Sequence, residues 1–169
     1  MNNPLISVRH AQITDAAAIT AIYNAGIERR IATFETRLRT PAEIETWFGS
    51  PTHPILVAEE SGSIRGWVSS STYRTRDCYA GIAEFSVYIA PDAQGQGIGS
   101  HLMKAFIPAC EDVGLWKLVS RIFIENTASR ALCRKFGFRE VGIYEKHGKL
   151  DGVWRDVVIV ERLLERNLT

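Results

Sequence analysis

The stretch Ala83-Glu-Phe-Ser-Val-Tyr-Ile-Ala-Pro-Asp-Ala-Gln-Gly-Gln-Gly-Ile-Gly-Ser100 constrains this chain more than any other. A strand over Ile82–Ala90 ends at Pro91-Asp92, glycines follow at 95, 97 and 99, and a helix begins at once. Ile98, Leu102, Met103, Phe106, Ile107 and Cys110 fall on one stripe of that helix, which ends before Gly114. Glycines let backbone approach a ligand and turn several N–H groups in one direction. A helix N-terminus adds positive potential, so the physical reading is a cradle for a phosphate or pyrophosphate. The plainer alternative is a glycine-rich turn that packs a helix on a sheet.

Two familiar phosphate loops do not fit. A Walker loop ends in Gly-Lys-Ser/Thr, whereas Gly99-Ser100 lacks the lysine. A dinucleotide fingerprint needs G-x-G-x-x-G in a first βαβ unit with an acidic residue about 20 positions on. Here the spacing is G-x-G-x-G, lies mid-chain, and the following strand, Trp116–Ile124, carries no such acid at its end.

Around this window the chain reads as one α/β domain over 1–169. Strands are expected at Ile6–Ala11, Ile55–Glu59, Gly66–Tyr73, Phe138–Tyr144 and Trp154–Val160, the last with burial on both faces. Helices are expected from Thr14-Asp15 to near Gly26, from Thr40-Pro41 to Trp47, and over Thr127–Phe136. The 20 basic and 19 acidic residues leave a net charge of +1, without the basic surplus of a nucleic-acid binder. No signal-peptide pattern or apolar run of membrane length is present. Three widely spaced cysteines form neither a disulfide framework nor a zinc ribbon, and the histidines have no ligand spacing. The expectation is a cytoplasmic protein with no metal, no nucleic acid and no membrane partner.

Gln94-x-x-Gly97-x-Gly99 after a strand resembles the segment with which the GNAT superfamily of acyl-CoA N-acyltransferases holds the CoA pyrophosphate. Glu125-Asn-Thr-Ala-Ser-Arg-Ala-Leu-Cys-Arg-Lys-Phe-Gly-Phe138 resembles that family's second CoA segment. The resemblance covers nearly the whole chain and implies a twisted mixed sheet, split by a splayed central strand pair, with helices on both faces. Within the superfamily, Ala21–Asn24, Ile31–Phe34, Glu84–Ile89 and Gly152–Val157 are similar to the phosphinothricin and methionine sulfoximine N-acetyltransferases. Trp116–Phe123 with His147–Val158 is similar to the branch associated with arsinothricin resistance. The reaction implied is acetyl transfer from acetyl-CoA to the α-amine of a glutamate-like amino acid.

Glu84, Ser86 and Tyr88 share one face of their strand; Phe85, Val87 and Ile89 share the other. An amine must lose a proton before attacking a thioester, and a carboxylate can take it directly or through one water. Glu84 is therefore the candidate general base, the alternative being an ion pair with a neighbouring arginine on a solvated face. The resemblance assigns the pantetheine arm and acetyl carbonyl to the backbone of Val87, Tyr88 and Ile89, and the pyrophosphate to Gln94, Gly95, Gln96, Gly97, Ile98, Gly99 and Ser100. It assigns a CoA contact to Asn126, which is an equally good helix N-cap; the two roles are compatible. Arg74, Thr75 and Arg76 match a substrate-contacting segment, and arginine forks suit carboxylate, phosphinate or arsinate oxygens. Two solvated loop arginines are the alternative. Phe34, Phe85 and Ser86 are candidate pocket residues, with the core as the alternative for the two rings.

Two positions depart from the family pattern. Where many relatives carry a tyrosine acid seven residues after the asparagine, this chain has Cys133, and Tyr88 and Tyr144 are the tyrosines nearest in motif order. Where some carry a histidine just before the Gly-x-Trp motif, it has Asp151, with His147 four residues earlier. The resemblance also implies a homodimer. Rival readings are acetylation of a protein N-terminus or polyamine, an acetyl-CoA sensor without turnover, and a nucleotide-binding module.

Overall fold

The computed structural model describes residues 5–169. Seven strands form one sheet in the order β1-β2-β3-β4-β5-β7-β6. They are β1 (Ile6–His10), β2 (Ile55–Glu60), β3 (Ser63–Thr72), β4 (Ile82–Ile89), β5 (Lys117–Phe123), β6 (Arg139–Leu150) and β7 (Val153–Leu163). Only β4 and β5 pair in parallel; the other neighbours are antiparallel. Four α-helices complete the fold: α1 (Ala16–Glu28), α2 (Pro41–Glu45), α3 (Ile98–Asp112) and α4 (Thr127–Lys135).

Local chemistry accounts for several boundaries. Thr40 caps α2 through a reciprocal box with Glu43, and Pro41 occupies the first turn, where its missing N–H costs nothing. Ser61 and Gly62 both have positive φ (50° and 77°), and Glu60 pairs Ser63, giving a two-residue hairpin of the primed type. That turn starts β3 at Ser63, three residues before the expected Gly66. Gly137, at φ 79°, follows α4 as expected.

α1 and α3 lie on opposite faces of the sheet. Tyr88 of β4 meets Gly26 of α1, whereas Phe85, of opposite parity, tilts against Phe106 of α3. The six stripe positions of α3 are all buried, with Trp67, Leu115 and Leu118 among the core residues beside them. Burying each such side chain contributes about 1.5–3 kcal/mol. A smaller cluster of Phe123, Leu150 and Val157, with Phe34 packed on it, sits at the β5–β7 end.

Two expectations for the last strands need correction. β6 runs to Leu150 rather than Tyr144, interrupted by register shifts at Glu140/Gly142 and Tyr144/Gly148. Its exposed, polar residues 145–147 break the alternation that marks a strand, although the neighbouring β7 supplies the pairing. β7 is buried at Val157, Val158 and Val160, but Trp154 remains 52% exposed, because that end projects past the helices with β6 at the sheet edge.

The feature that positions the site is a split. β4 and β5 pair only at Ile82↔Lys117, Ala83↔Leu118 and Glu84↔Val119, then diverge. β4 stays paired with β3 as far as Ile89, and β5 with β7 as far as Phe123. Just beyond the last rung the Ser120 hydroxyl donates to the Phe85 carbonyl at 3.0 Å, and past it one edge of β4 has no strand partner.

Candidate active site

The split opens into a cleft between α1 and α4, beside the loop that leads into α3. A cavity of about 220 Å³ is lined by Val87, Tyr88 and Ile89 from β4, Gln94 and Gly95 from the loop, and Asn126, Ser129 and Leu132 around α4. Gly97 stands at the N-cap of α3 with φ 81°, ψ 4°, a left-handed conformation, and offers no side chain to cap the helix. No side chain therefore caps the first N–H groups of α3, and Gly95, two residues before Gly97, lines the cavity. An added Cβ at Gly95 or Gly97 would meet nothing within 4 Å, so the turn, not packing, calls for glycine there. Gly99 differs: it lies in the first turn of α3, against Leu132 of α4.

The remaining cofactor candidates surround this turn. Gln96 is engaged with the Asp92 carbonyl, and Ser100 accepts from Lys135 at 2.9 Å. Ile98 is buried beneath the loop as a core anchor. Asn126 caps α4, its Oδ1 accepting from the Ser129 N–H at 3.2 Å, and the residue also lines the cavity. Gly26, Arg29 and Ala32 line the opposite wall. They belong to α1 and the connection after it, and nothing in their spacing marked them as cleft residues.

A small cavity of about 60 Å³ continues through the split, bounded by Ser86, Ser120, Ile122 and Cys133. Burial, with the Glu140 charge adding to it, pushes the Cys133 thiol up to about 12, so it stays protonated at neutral pH. Tyr88 spans both, lining the cavity beside Gly95 and the one around Glu84, with its ring stacked on Trp67 at 4.9 Å. Burial raises its hydroxyl well above the ordinary tyrosine value. Tyr144 instead is exposed and tilts against His147.

Nearer the start of β4 the passage widens around Glu84. One cavity of about 320 Å³ holds Glu84, Ser86, Phe34, Arg121 and His147; a second, of about 520 Å³, holds Glu84, His53, Trp47, Ser71 and Thr72. Glu84 accepts from Arg121 Nη2 at 2.7 Å, so the ion pair weighed as an alternative role is present, and it sits inside the cavity. Sequence reasoning had no means to find Arg121, whose partner lies 37 residues away across the split. His53 is driven down from the ordinary histidine value by burial and is therefore neutral at pH 7.

The other substrate candidates fall less simply. Phe34 lines the Glu84 cavity and also packs edge-on against Phe123 at 4.7 Å. Phe85 lines the cavity only in part; its ring is 6% exposed and packs on Phe138 at 5.0 Å and Phe106 at 6.1 Å, so the core reading holds for most of it. Arg74, Thr75 and Arg76 are exposed and are not among the residues lining either Glu84 cavity. The Arg74 guanidinium lies over the Tyr73 ring at 5.2 Å and Arg76 over Tyr79 at 6.0 Å. Among the described residues no group of three or more His, Cys, Asp or Glu is placed to hold a metal, and no helix is long and apolar enough to cross a membrane.

Comparison with known proteins agrees with this geometry. The acetyltransferase (GNAT) family matches residues 19–138. The chain is 35% identical over 167 residues to the phosphinothricin N-acetyltransferase of Streptomyces coelicolor, covering 94% of this chain and 96% of that one. It is 31% identical over 163 residues to the L-methionine sulfoximine/L-methionine sulfone acetyltransferase of Pseudomonas aeruginosa, covering 94% and 95%. The solved structure of a phosphinothricin acetyltransferase from Sinorhizobium meliloti in complex with acetyl-CoA superimposes with a TM-score of 0.87 at 30% identity, covering 94% and 88%. With an uncapped helix N-terminus on one side of a split sheet and a carboxylate on the other, the chain belongs to the GNAT family and is an N-acetyltransferase that uses acetyl-CoA.

Proposed function

We propose that the protein acetylates the α-amine of a glutamate-like amino acid whose side chain ends in a phosphinate, sulfoximine or arsinate group, of the phosphinothricin, methionine sulfoximine or arsinothricin type. The observation that carries this reading is the passage through the split. Three cavities that share Tyr88, two of them also sharing Ser86, run from Gln94 and Gly95 in the loop before α3 to the Glu84 carboxylate, so donor and acceptor can meet without a covalent acetyl-enzyme. The first N–H groups of α3 bind the pyrophosphate, and the unpaired edge of β4 at Val87–Ile89 orients the thioester carbonyl, as an oxyanion site does. Glu84 Oε1 is held by Arg121, which leaves Oε2 to take the amine proton, directly or through one water. The amine then attacks the carbonyl carbon, the C–S bond breaks, and CoA leaves as the thiolate. Cys133, whose thiol is a weaker acid than a free thiol, is not the group that protonates it. Arg74 and Arg76 meet the oxygens of the acceptor's far end at the outer mouth, two and four residues beyond cavity-lining Thr72.

The relatives named for phosphinothricin and methionine sulfoximine support this choice of acceptor. We further propose a homodimer, supported by the exposed Val141, Ile143 and Trp154 at the β6–β7 edge, and a reducing cytoplasmic setting, supported by three free cysteines of which two are buried. The test is CoA release, read with a thiol reagent, from acetyl-CoA plus phosphinothricin, methionine sulfoximine, arsinothricin or spermidine. Turnover of the amino acids that falls about 10²- to 10⁴-fold in Glu84→Gln, with acetyl-CoA binding intact, is the expected result. Turnover of spermidine alone refutes the acceptor, and CoA binding without any turnover refutes the enzyme mechanism.

A further inference from the structure

Arg121 is the one arginine or lysine among the described residues lining the 320 Å³ cavity around Glu84. Its direction follows from strand parity. Val119 pairs Glu84 in the parallel register, so Val119, Arg121 and Phe123 present themselves on the Glu84 face of the sheet. The split begins one residue later, leaving the guanidinium at the wall of the passage and its side chain 50% exposed. One Nη2 hydrogen goes to Glu84 Oε1; among the described residues the Arg121 guanidinium makes no other hydrogen bond. A guanidinium carries five donors in a planar fork.

Fold stability does not explain this pair, since half-exposed ion pairs contribute little. Two other titratable side chains besides tyrosine line the cavity, Glu35 and His147. Glu35 is held by Arg39 at 2.7 Å, and His147 is turned into the cavity by the irregular register between Tyr144 and Gly148. A carboxylate and a guanidinium in contact offer an acceptor and a donor fork side by side. An α-amino acid carries the inverse pair, an ammonium and a carboxylate, on one carbon.

We propose that Arg121 binds the acceptor's α-carboxylate while Glu84 receives the α-ammonium, which makes Arg121 the residue that selects α-amino acids over amines lacking an adjacent acid. This rests on the reading of Glu84 as the group facing the amine. It leaves the Arg74–Arg76 segment for the phosphinate, sulfoximine or arsinate group at the other end of the acceptor, and so divides the two ends between the arginines that follow β3 and the arginine of β5, the two strands that flank β4.

The test compares phosphinothricin and methionine sulfoximine with their α-carboxamides, in the wild type, Arg121→Ala and Arg121→Lys. The amide keeps the amine and removes the negative charge. Any change in the amine's own basicity cancels when the acid/amide ratio is compared between proteins. The wild type is expected to favour the acid, and Arg121→Ala to lose that preference through a rise of about 10- to 100-fold in KM for the acid. KM for acetyl-CoA stays as it was, whatever Glu84 loses with its partner falls on acid and amide alike and cancels in their ratio, and Arg121→Lys keeps part of the preference. An acid/amide ratio unchanged in Arg121→Ala overturns the proposal, and a fall in kcat shared by acid and amide then marks Arg121 as a residue that only steadies Glu84. A wild type silent on every α-amino acid, yet active on another amine, overturns the reading of the acceptor and this inference with it.

Discussion

Substituting Gly148 by alanine tests how the acceptor cavity is walled. Gly148 lies on β6 just past its register shift, and a Cβ there would fall 2.8, 2.9 and 3.2 Å from three ring atoms of Phe34. Ordinary van der Waals contact starts near 3.4 Å, so the ring has to retreat or the strand has to bulge further. Phe34 is anchored by its edge-on contact with Phe123 and by Leu150 and Val157 beneath it. Giving up the aromatic pair costs about 0.5–1.5 kcal/mol, and the wider strain of overpacking runs to about 1–3 kcal/mol. A loss of about 1–2 kcal/mol of stability follows, read as a lower urea midpoint at unchanged slope. Because Phe34 lines the Glu84 cavity and not the CoA-side one, KM for the acceptor rises while KM for acetyl-CoA does not. The decisive assay is the double-mutant cycle with Phe34→Ala. Without the ring the new methyl meets no obstacle, and glycine-to-alanine in a strand then stabilises by about 0.5–1 kcal/mol. An equal penalty for Gly148→Ala in both backgrounds would refute the steric reasoning.

Other outcomes follow from the same geometry. Gly97→Ala weakens acetyl-CoA binding by forcing a left-handed alanine at a cost of about 1 kcal/mol, and Gly97→Asn, which tolerates that conformation, weakens it less; calorimetric titration with equal losses would refute the conformational account. In the folded protein iodoacetamide at pH 8 modifies Cys78 alone, since Cys110 and Cys133 are buried with their thiols pushed up; mass spectrometry should count one adduct, rising to three in urea. Asp15 is held below the usual carboxylate range by bonds from Arg9 at 2.7 and 3.0 Å and from the Gln12 N–H. Its folded-state value being depressed, the stability it contributes is present at neutral pH and lost as acid protonates it below about pH 4. Urea midpoints of Asp15→Asn should therefore fall less steeply between pH 5 and 2.5 than those of the parent, and a parallel fall would refute the linkage.

What could be read from the sequence was what local chemistry decides. The α3 stripe, the turn at Gly95–Gly97 and the cap at Asn126 each need particular residues at particular spacings, and each stands where expected. Glu84 was legible because strand parity put it beside Ser86 and Tyr88. Contacts between distant segments were not. Arg121 looks like any strand arginine until β4 is laid beside it, and Gly26 looks like an ordinary helix residue until Tyr88 fills the space its side chain would take. The far half of β6 was missed because its pairing depends on β7, and its irregular register leaves Lys146 at a positive φ of 49°. Arg74 and Arg76 came from resemblance alone; in the single chain they rest on tyrosines of their own loop.

The split between β4 and β5 also bears on how the molecule is assembled. β1 to β4 are consecutive in sequence and each runs antiparallel to the last, while β5, β6 and β7 pair only among themselves beyond three rungs with β4. The protein is in effect two antiparallel half-sheets stitched along a short parallel seam. A ligand bonded to the free edge of β4 on one side and to α4 on the other acts as an extra stitch, holding halves that the polypeptide joins only briefly. Ligand binding and the cohesion of the fold are then one equilibrium, and amides flanking the seam should exchange with solvent more slowly as acetyl-CoA concentration rises.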